Sequence, residues 1–277
     1  MKAAERMETA KPMRVFRRNL SSRARYYDAA DAIFVSVPKS GRTWVRVFIY
    51  RYYSAIYEVN FTLNEKDIFA GPLPKLIFTH DMWEHRATAR PKDRWRGKHL
   101  VPPRAAREKK IVLLARDPRD VLVSLFFQQS KRMHRYAGTL SDMLRHPRFG
   151  VRLIVDVMNA WMAEWGSRSN CRLVRYEDCR RDTAGTFREL IAFLSPGAVD
   201  ETAFGRALEF SSFDSMKAME AAGKFDSRIL APADRADPES FKVRRGQVGG
   251  YGEYFSESDL EYIEDELARL DSRYGYR

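Results

Sequence analysis

The chain predicts an α/β fold: a central parallel sheet flanked by helices. Short apolar runs of strand length recur at Ala32–Val37, Lys75–Thr79, Lys110–Ala115 and Arg172–Arg175. Stretches with helical spacing of apolar residues separate them, at Thr43–Tyr57, Pro118–His134, Thr139–Ser167 and Thr183–Leu194. Strands alternating with helices of this length pack as a parallel sheet covered on both faces. A length of 277 residues, 44% of them hydrophobic, suits a single domain with a sizeable core. Ligands of such sheets bind at the carboxyl ends of the strands, where Pro38–Arg42, His80 and Arg116 all fall.

Taken in order, residues 1–27 read as a basic, partly disordered arm, and residues 28–277 as the domain. The arm lacks the apolar centre of a signal peptide, and Glu5 and Glu8 weaken a transit-peptide reading. The first strand runs into Pro38-Lys39-Ser40-Gly41-Arg42-Thr43-Trp44, and helical spacing follows. Strand, tight loop and helix in that order aim backbone N–H groups and a helix N-terminus at an anion. Lys39 adds a mobile positive charge. The third strand ends in Arg116-Asp117-Pro118, where Asp117 suits a helix N-cap and Pro118 the first helical position. Ser124 then lies in the second turn. A strand-end arginine and a serine on the next helix can grip one phosphate from two sides. Beyond Leu194, Asp200–Phe210 and Phe213–Ala222 read as short helices and Gly223–Ser240 as a mobile loop. Phe241–Phe255, with four glycines, reads as a binding loop, and Ser256–Arg269 as a helix opened by an N-cap serine. Within that loop, Arg244-Arg245-Gly246 reads as a flexible anion clamp.

A formal charge of +12 suits an anionic ligand. The arginines are spread along the chain rather than gathered in a tail, which argues against a nucleic-acid arm. No apolar stretch is long enough to span a membrane, so no stable membrane insertion is expected. Cys171 and Cys179 match no metal-site spacing, and a cytoplasmic chain with ordinary thiols is expected. The first loop does not fit a triphosphate cradle, which needs G-x-x-x-x-G-K-[ST]; here a single Gly41 follows Lys39.

Together these segments resemble the sulfotransferases that use 3′-phosphoadenosine-5′-phosphosulfate (PAPS), of the cytosolic type, in order from about Ala32 to Asp271. Pro38–Trp44 is similar to that family's P-K-S-G-T-T-W loop. Arg116 and Ser124 stand in its R-x7-S relation, and Arg244-Arg245-Gly246-Gln-Val-Gly249 resembles its R-K-G-x-x-G. Tyr176-Glu177-Asp178 matches a Y-E-D, and Ser211-Ser212-Phe213 with Met216 resembles the adenine-holding segment. The resemblance implies a P-loop-NTPase-like sulfotransferase fold, with PAPS as co-substrate, 3′,5′-bisphosphate (PAP) as product, and no metal. It implies that Lys39, Ser40, Gly41, Arg42 and Thr43 hold the 5′-phosphosulfate. Arg116, Ser124, Arg244, Arg245 and Gly246 would hold the 3′-phosphate. Trp44, Tyr176, Ser211 and Phe213 would surround the adenine. His80 is similar to the catalytic histidine of K-T-H and would take the acceptor's proton. Lys39 would neutralise the leaving oxygen, and Ser124 joins them in the implied catalytic set. The partner is a small-molecule acceptor, with no nucleic acid expected.

The chain departs from the family pattern at several places. Arg42 replaces a small hydroxyl residue. Phe78 stands where K-T-H has its lysine, and Gly250-Tyr251 stands where the family has D-W. Gly252 and Glu257 interrupt the C-terminal dimer motif, which leaves the oligomeric state open. Asp81, Glu84 and His85 remain rival bases beside His80. The segment between His80 and Lys110 reads as a loop covering the acceptor, and its Trp83, Trp95 and basic residues suit an aromatic or an anionic acceptor equally. A nucleotide kinase of related fold would want a Walker lysine after a second glycine and a magnesium carboxylate after a strand; neither is evident. A non-catalytic nucleotide binder would be signalled by loss of His80 or Lys39, and both are present.

Overall fold

The structure, a computed structural model, describes residues 23–223, 241–243 and 245–276. Residues 1–22 of the expected arm, the expected mobile loop beyond Gly223, and Arg244 lie outside the described residues. A helix over residues 23–28 (α1) falls inside the stretch expected to be an arm. Its Tyr27 is buried in the core and Tyr26 stacks on Phe69 at 5.2 Å, so the packed domain begins earlier than residue 28.

The order continues as β1 (Ala32–Ser36), α2 (Arg42–Ile56), α3 (Glu65–Ala70) and β2 (Leu76–Thr79). Next come α4 (Asp81–Ala87), α5 (Pro91–Trp95), α6 (Pro103–Glu108) and β3 (Lys110–Ala115). Then follow α7 (Pro118–Phe127), α8 (Leu140–Leu144), α9 (Val151–Trp165) and β4 (Cys171–Arg175). The last are α10 (Tyr176–Arg181), α11 (Thr183–Leu194), α12 (Glu201–Phe210), α13 (Phe213–Ala221) and α14 (Glu257–Leu267).

The four strands form one parallel sheet in the order β2-β1-β3-β4, with Phe34 opposite both Phe78 and Val112. Successive side chains of a strand face opposite ways, so each strand feeds two cores. Ile33, Val35, Ile111 and Leu113 pack beneath α7, α9 and α14. Phe34, Val112 and Leu114 pack against α2, α11 and α12. β1 therefore reads as an unbroken apolar run because both its faces are covered.

Two expected helices are interrupted. The stretch expected as one helix over 139–167 is two, α8 and α9. Pro147 cannot continue α8, and Gly150 caps α9 where a Cβ would sit 2.4 Å from the Leu144 carbonyl oxygen. The stretch expected as a helix over 118–134 leaves α-geometry after Phe127 for a π turn over Gln128–Arg132. The segment from His80 to Lys110, expected as a covering loop, holds three short helices. Trp83 packs in the core, whereas Trp95 is 79% exposed.

Asp81 fastens this segment. It opens α4 with a left-handed φ of 40°, a region aspartate tolerates better than most residues. Its buried carboxylate accepts hydrogen bonds from the Val101 N–H and, at 2.8 Å, from Trp161 Nε1. Asp81→Ala leaves both donors buried and unpaired, and is expected to cost roughly 2–5 kcal/mol in denaturant unfolding.

Candidate active site

Every strand of the sheet ends at one cavity of about 220 Å³. β1 delivers the loop from Pro38 to Trp44, β2 delivers His80, β3 delivers Arg116, and β4 delivers Tyr176. The cavity lies where β1 and β3 adjoin, the point at which the crossover direction reverses in this strand order.

The first loop is held in an uncommon backbone shape. Lys39 has φ 76° and Gly41 has φ 81°. A non-glycine residue in this region costs about 1–3 kcal/mol and tends to mark function. Gly41 has a second reason to be glycine: a Cβ there would lie 2.7 Å from the Tyr176 ring. α2 starts immediately after it with no side-chain cap and no acid in its first turn. Its first N–H groups and its dipole are thus left for an anion. Thr43 and Arg42 line the cavity. Ser40 is buried beside it, and its hydroxyl has no partner among the described residues.

Arg116 ties this loop to two distant segments. Its Nη1 donates to the Lys39 carbonyl at 3.3 Å and its Nη2 to the Gln247 carbonyl at 2.9 Å. Asp120, one turn into α7, lies 3.6 Å from Nη2 and accepts the Gly249 N–H at 2.9 Å. The guanidinium sits 4.4 Å from the centre of the Tyr176 ring, and its Nε is buried with no partner among the described residues. Asp117 caps α7 by accepting the Arg119 N–H at 2.9 Å, as its place in the sequence suggests. Ser124 faces the cavity from the second turn.

Trp44, Tyr176 and Phe213 form an aromatic wall. Trp44 and Tyr176 meet edge to face at 5.9 Å, and Arg180 lies over both Trp44 and Phe213. Gly246 approaches Phe213 so closely that a Cβ would stand 2.5 Å from its ring, and its φ is 62°. Arg245 lines the cavity and also pairs with Glu253 at 3.1 Å. Ser211 is not brought to the wall. It is buried, and its hydroxyl donates to the Ala207 carbonyl at 2.7 Å, an α-helical back-bond that turns it away.

His80 occupies the N-cap position of α4 without capping it. Its Nδ1 lies 2.7 Å from the Ser36 carbonyl oxygen. A carbonyl only accepts, so Nδ1 carries the hydrogen and Nε2 presents a lone pair. Burial, then the positive charge of Arg42, holds the imidazole well below its ordinary 6.5; the Ser36 carbonyl partly opposes this, and Lys242 adds to it. Of the rival bases, Asp81 is consumed by Val101 and Trp161, and Glu84 is 3.3 Å from His99 Nδ1. None of Asp81, Glu84 or His85 lines the cavity.

Phe78 does not supply a cation because it faces a core. It stacks on Phe34 at 4.6 Å, with the Arg46 guanidinium 5.3 Å from its ring. A cation that sequence reasoning missed, Lys242, lines the cavity instead. The backbone N–H groups of Lys242 and Val243 donate to the buried Glu220 carboxylate at 2.7 and 2.9 Å, which seats the segment. Burial and the neighbouring Lys39, Arg132 and Arg42 push the Lys242 ammonium well below its usual value. Its only sequence signal is a place two residues before the paired arginines. Arg180 was legible only as the residue one helical turn after Tyr176.

On one rim of a parallel α/β sheet, the structure gathers the β1 loop, Arg116 and His80 around a single cavity, the layout of an enzyme that binds an anion at the strand ends. Residues 29–270 match the family described as sulfotransferase domain. The chain belongs to the sulfotransferase family. Cytosolic sulfotransferase 12 of Arabidopsis thaliana is 22% identical over 253 residues, covering 85% of this chain and 75% of the relative. Human sulfotransferase 2A1 is 23% identical over 257 residues, covering 83% and 80%. Mouse sulfotransferase 2A2 is 27% identical over only 158 residues, about half of each chain. Among solved structures, mouse sulfotransferase SULT7A1 complexed with PAP superimposes with a TM-score of 0.61 at 18% identity, covering 87% of this chain and 84% of that one. Retinol dehydratase in complex with androsterone and PAP gives 0.60 at 18% identity, covering 92% and 87%.

Two outcomes follow from this geometry. Gly41→Ala meets both a left-handed φ and the Tyr176 ring, and is expected to lose roughly 1–3 kcal/mol, read as a lower Tm. The His80 ring, followed by NMR, is expected to titrate well below pH 6.5. Arg42→Thr should move that midpoint upward, because losing a nearby positive charge favours the imidazolium. The unfolded chain takes up this proton near 6.5 and the folded one does not, so His80 erodes stability progressively as pH falls below 6.5.

Proposed function

We propose that this protein transfers the sulfuryl group of PAPS to a hydroxyl or amine of a small acceptor, with His80 as base and Lys39 at the leaving oxygen. The observation that supports it most is the meeting of two separate anion grips with a neutral imidazole on one sheet rim. The Lys39–Thr43 loop and the start of α2 suit the 5′-phosphosulfate. Arg116, Ser124, Arg245 and Gly246, with Arg244, suit the 3′-phosphate. Trp44, Tyr176 and Phe213 suit the adenine. The residues fit the donor: the buried Ser40 hydroxyl and Arg116 Nε have no partner among the described residues, and Gly41 and Gly246 let the loops close against the Tyr176 and Phe213 rings of the aromatic wall.

In the reaction, PAPS supplies an electrophilic sulfur joined to a good leaving group. The acceptor oxygen forms its bond to sulfur as the bond from sulfur to the 5′-phosphate oxygen breaks. His80 Nε2 takes the acceptor's proton, a role that needs the neutral ring its surroundings maintain. Lys39 would offset the charge that gathers on the departing phosphate oxygen, and Lys242, which lines the same cavity, would add to it. A cytosolic place of work, as in the name of the Arabidopsis relative, goes with this reading.

PAP is expected to raise the Tm and ATP with magnesium to leave it unchanged; the reverse would favour a kinase. His80→Ala should lower kcat by about 10²–10⁴-fold while PAP affinity holds within about threefold. Near-normal turnover in that variant would remove His80 from the role of base.

A further inference from the structure

The donor reading draws on the backbone of the loop at Arg42, and leaves that side chain, which replaces a small hydroxyl residue, open to a further role. It lines the cavity, yet makes no hydrogen bond or ion pair among the described residues. Charged groups that feel it are Arg46 one turn further along α2, Glu84 on α4, Lys242 and His80 itself. His80 and Glu84 stand on the β2–α4 side of the cavity, and Arg116 and Ser124, of the second grip, on the β3–α7 side. Arg42 shares with His80 the cavity that an acceptor must enter, near enough for its charge to bear on the imidazole. The carboxylate that acts on Arg42, Glu84, lies 3.3 Å from His99 Nδ1.

The charge balance points the same way. Lys39, Arg42 and Lys242 all line this end of the cavity. Lys39 and Lys242 have other interactions within the protein, whereas Arg42 has no hydrogen bond or ion pair among the described residues. A guanidinium in the same cavity as the base, with no ion pair among the described residues, is matched by a planar oxyanion, which it can grip with two parallel hydrogen bonds.

We propose that Arg42 recognises an oxyanion on the acceptor, so that the preferred substrates are hydroxyl compounds carrying a carboxylate or comparable oxyanion near the reacting hydroxyl. This rests on the sulfotransferase reading above. Burial and the charge of Arg46 lower the Arg42 guanidinium to about 10, an energetic load that an acceptor anion relieves.

The test uses the full-length protein saturated with PAP and two matched pairs of phenols: 3-hydroxybenzoate against 3-hydroxybenzamide, and 4-hydroxyphenylacetate against its amide. Calorimetry reads their affinities for the enzyme–PAP complex without requiring turnover. At least one acid is expected to bind about tenfold or more tightly than its amide. Arg42→Thr should remove that preference, and Arg42→Lys should keep part of it. Equal affinities within both pairs, or binding of none of the four compounds, overturns the proposal. So does an equal loss for acid and amide in Arg42→Thr, which assigns Arg42 to the donor or to structure. Failure of PAP itself to bind would instead overturn the sulfotransferase reading.

Discussion

The Arg116 guanidinium is the contact on which the site depends. Its nitrogens reach a carbonyl of the first loop and a carbonyl of the C-terminal loop, segments separated by most of the domain. Its face covers Tyr176 at the end of β4, and its charge faces Asp120 at the start of α7. The first loop holds a lysine in left-handed backbone, and such a shape persists only when its surroundings over-determine it. Arg116 supplies part of that restraint from above, while the Tyr176 ring fills the space that a Gly41 Cβ would need. One buried cation thus connects three strand ends and the closing loop.

The second constraint is electrostatic. The cavity gathers Lys39, Arg42, Lys242, Arg116 and Arg245 on a rim where burial makes mutual repulsion expensive. A chain tolerates this when the cost is recovered on binding anions. Burial first, and then the nearby Arg42 charge, hold the His80 imidazole below its ordinary value, so a substitution that relieves the repulsion also alters His80. In the proposed reaction, the arrangement that suits an anionic donor would also keep the base neutral.

Much of this was legible before any coordinates. The strands, α2, the start of α7 and α11 to α14 fall within a residue or two of their sequence-based bounds, because apolar periodicity and caps such as Asp117 and Ser256 are local signals. Errors arose where local signals mislead. Pro147 and Gly150 divide an unbroken apolar pattern into α8 and α9, and the short helices α3 to α6 carry too few turns to show a period. Phe78 was visible as a missing lysine, but not as a side chain facing the opposite core.

By itself the sequence determined the sheet class, the family, and the order of the anion-binding segments, since each rests on residues close together in the chain. Tertiary structure alone decided which charged groups share a space. Lys242 and Arg180 joined the cavity, Asp81 and Glu84 were withdrawn from candidacy by partners many residues away, and Ser211 was turned inward by its own helix. The tautomer of His80 was decided the same way, by the carbonyl of Ser36 on the neighbouring strand. Pairing and burial depend on distances between remote residues, and only the packed sheet sets those distances.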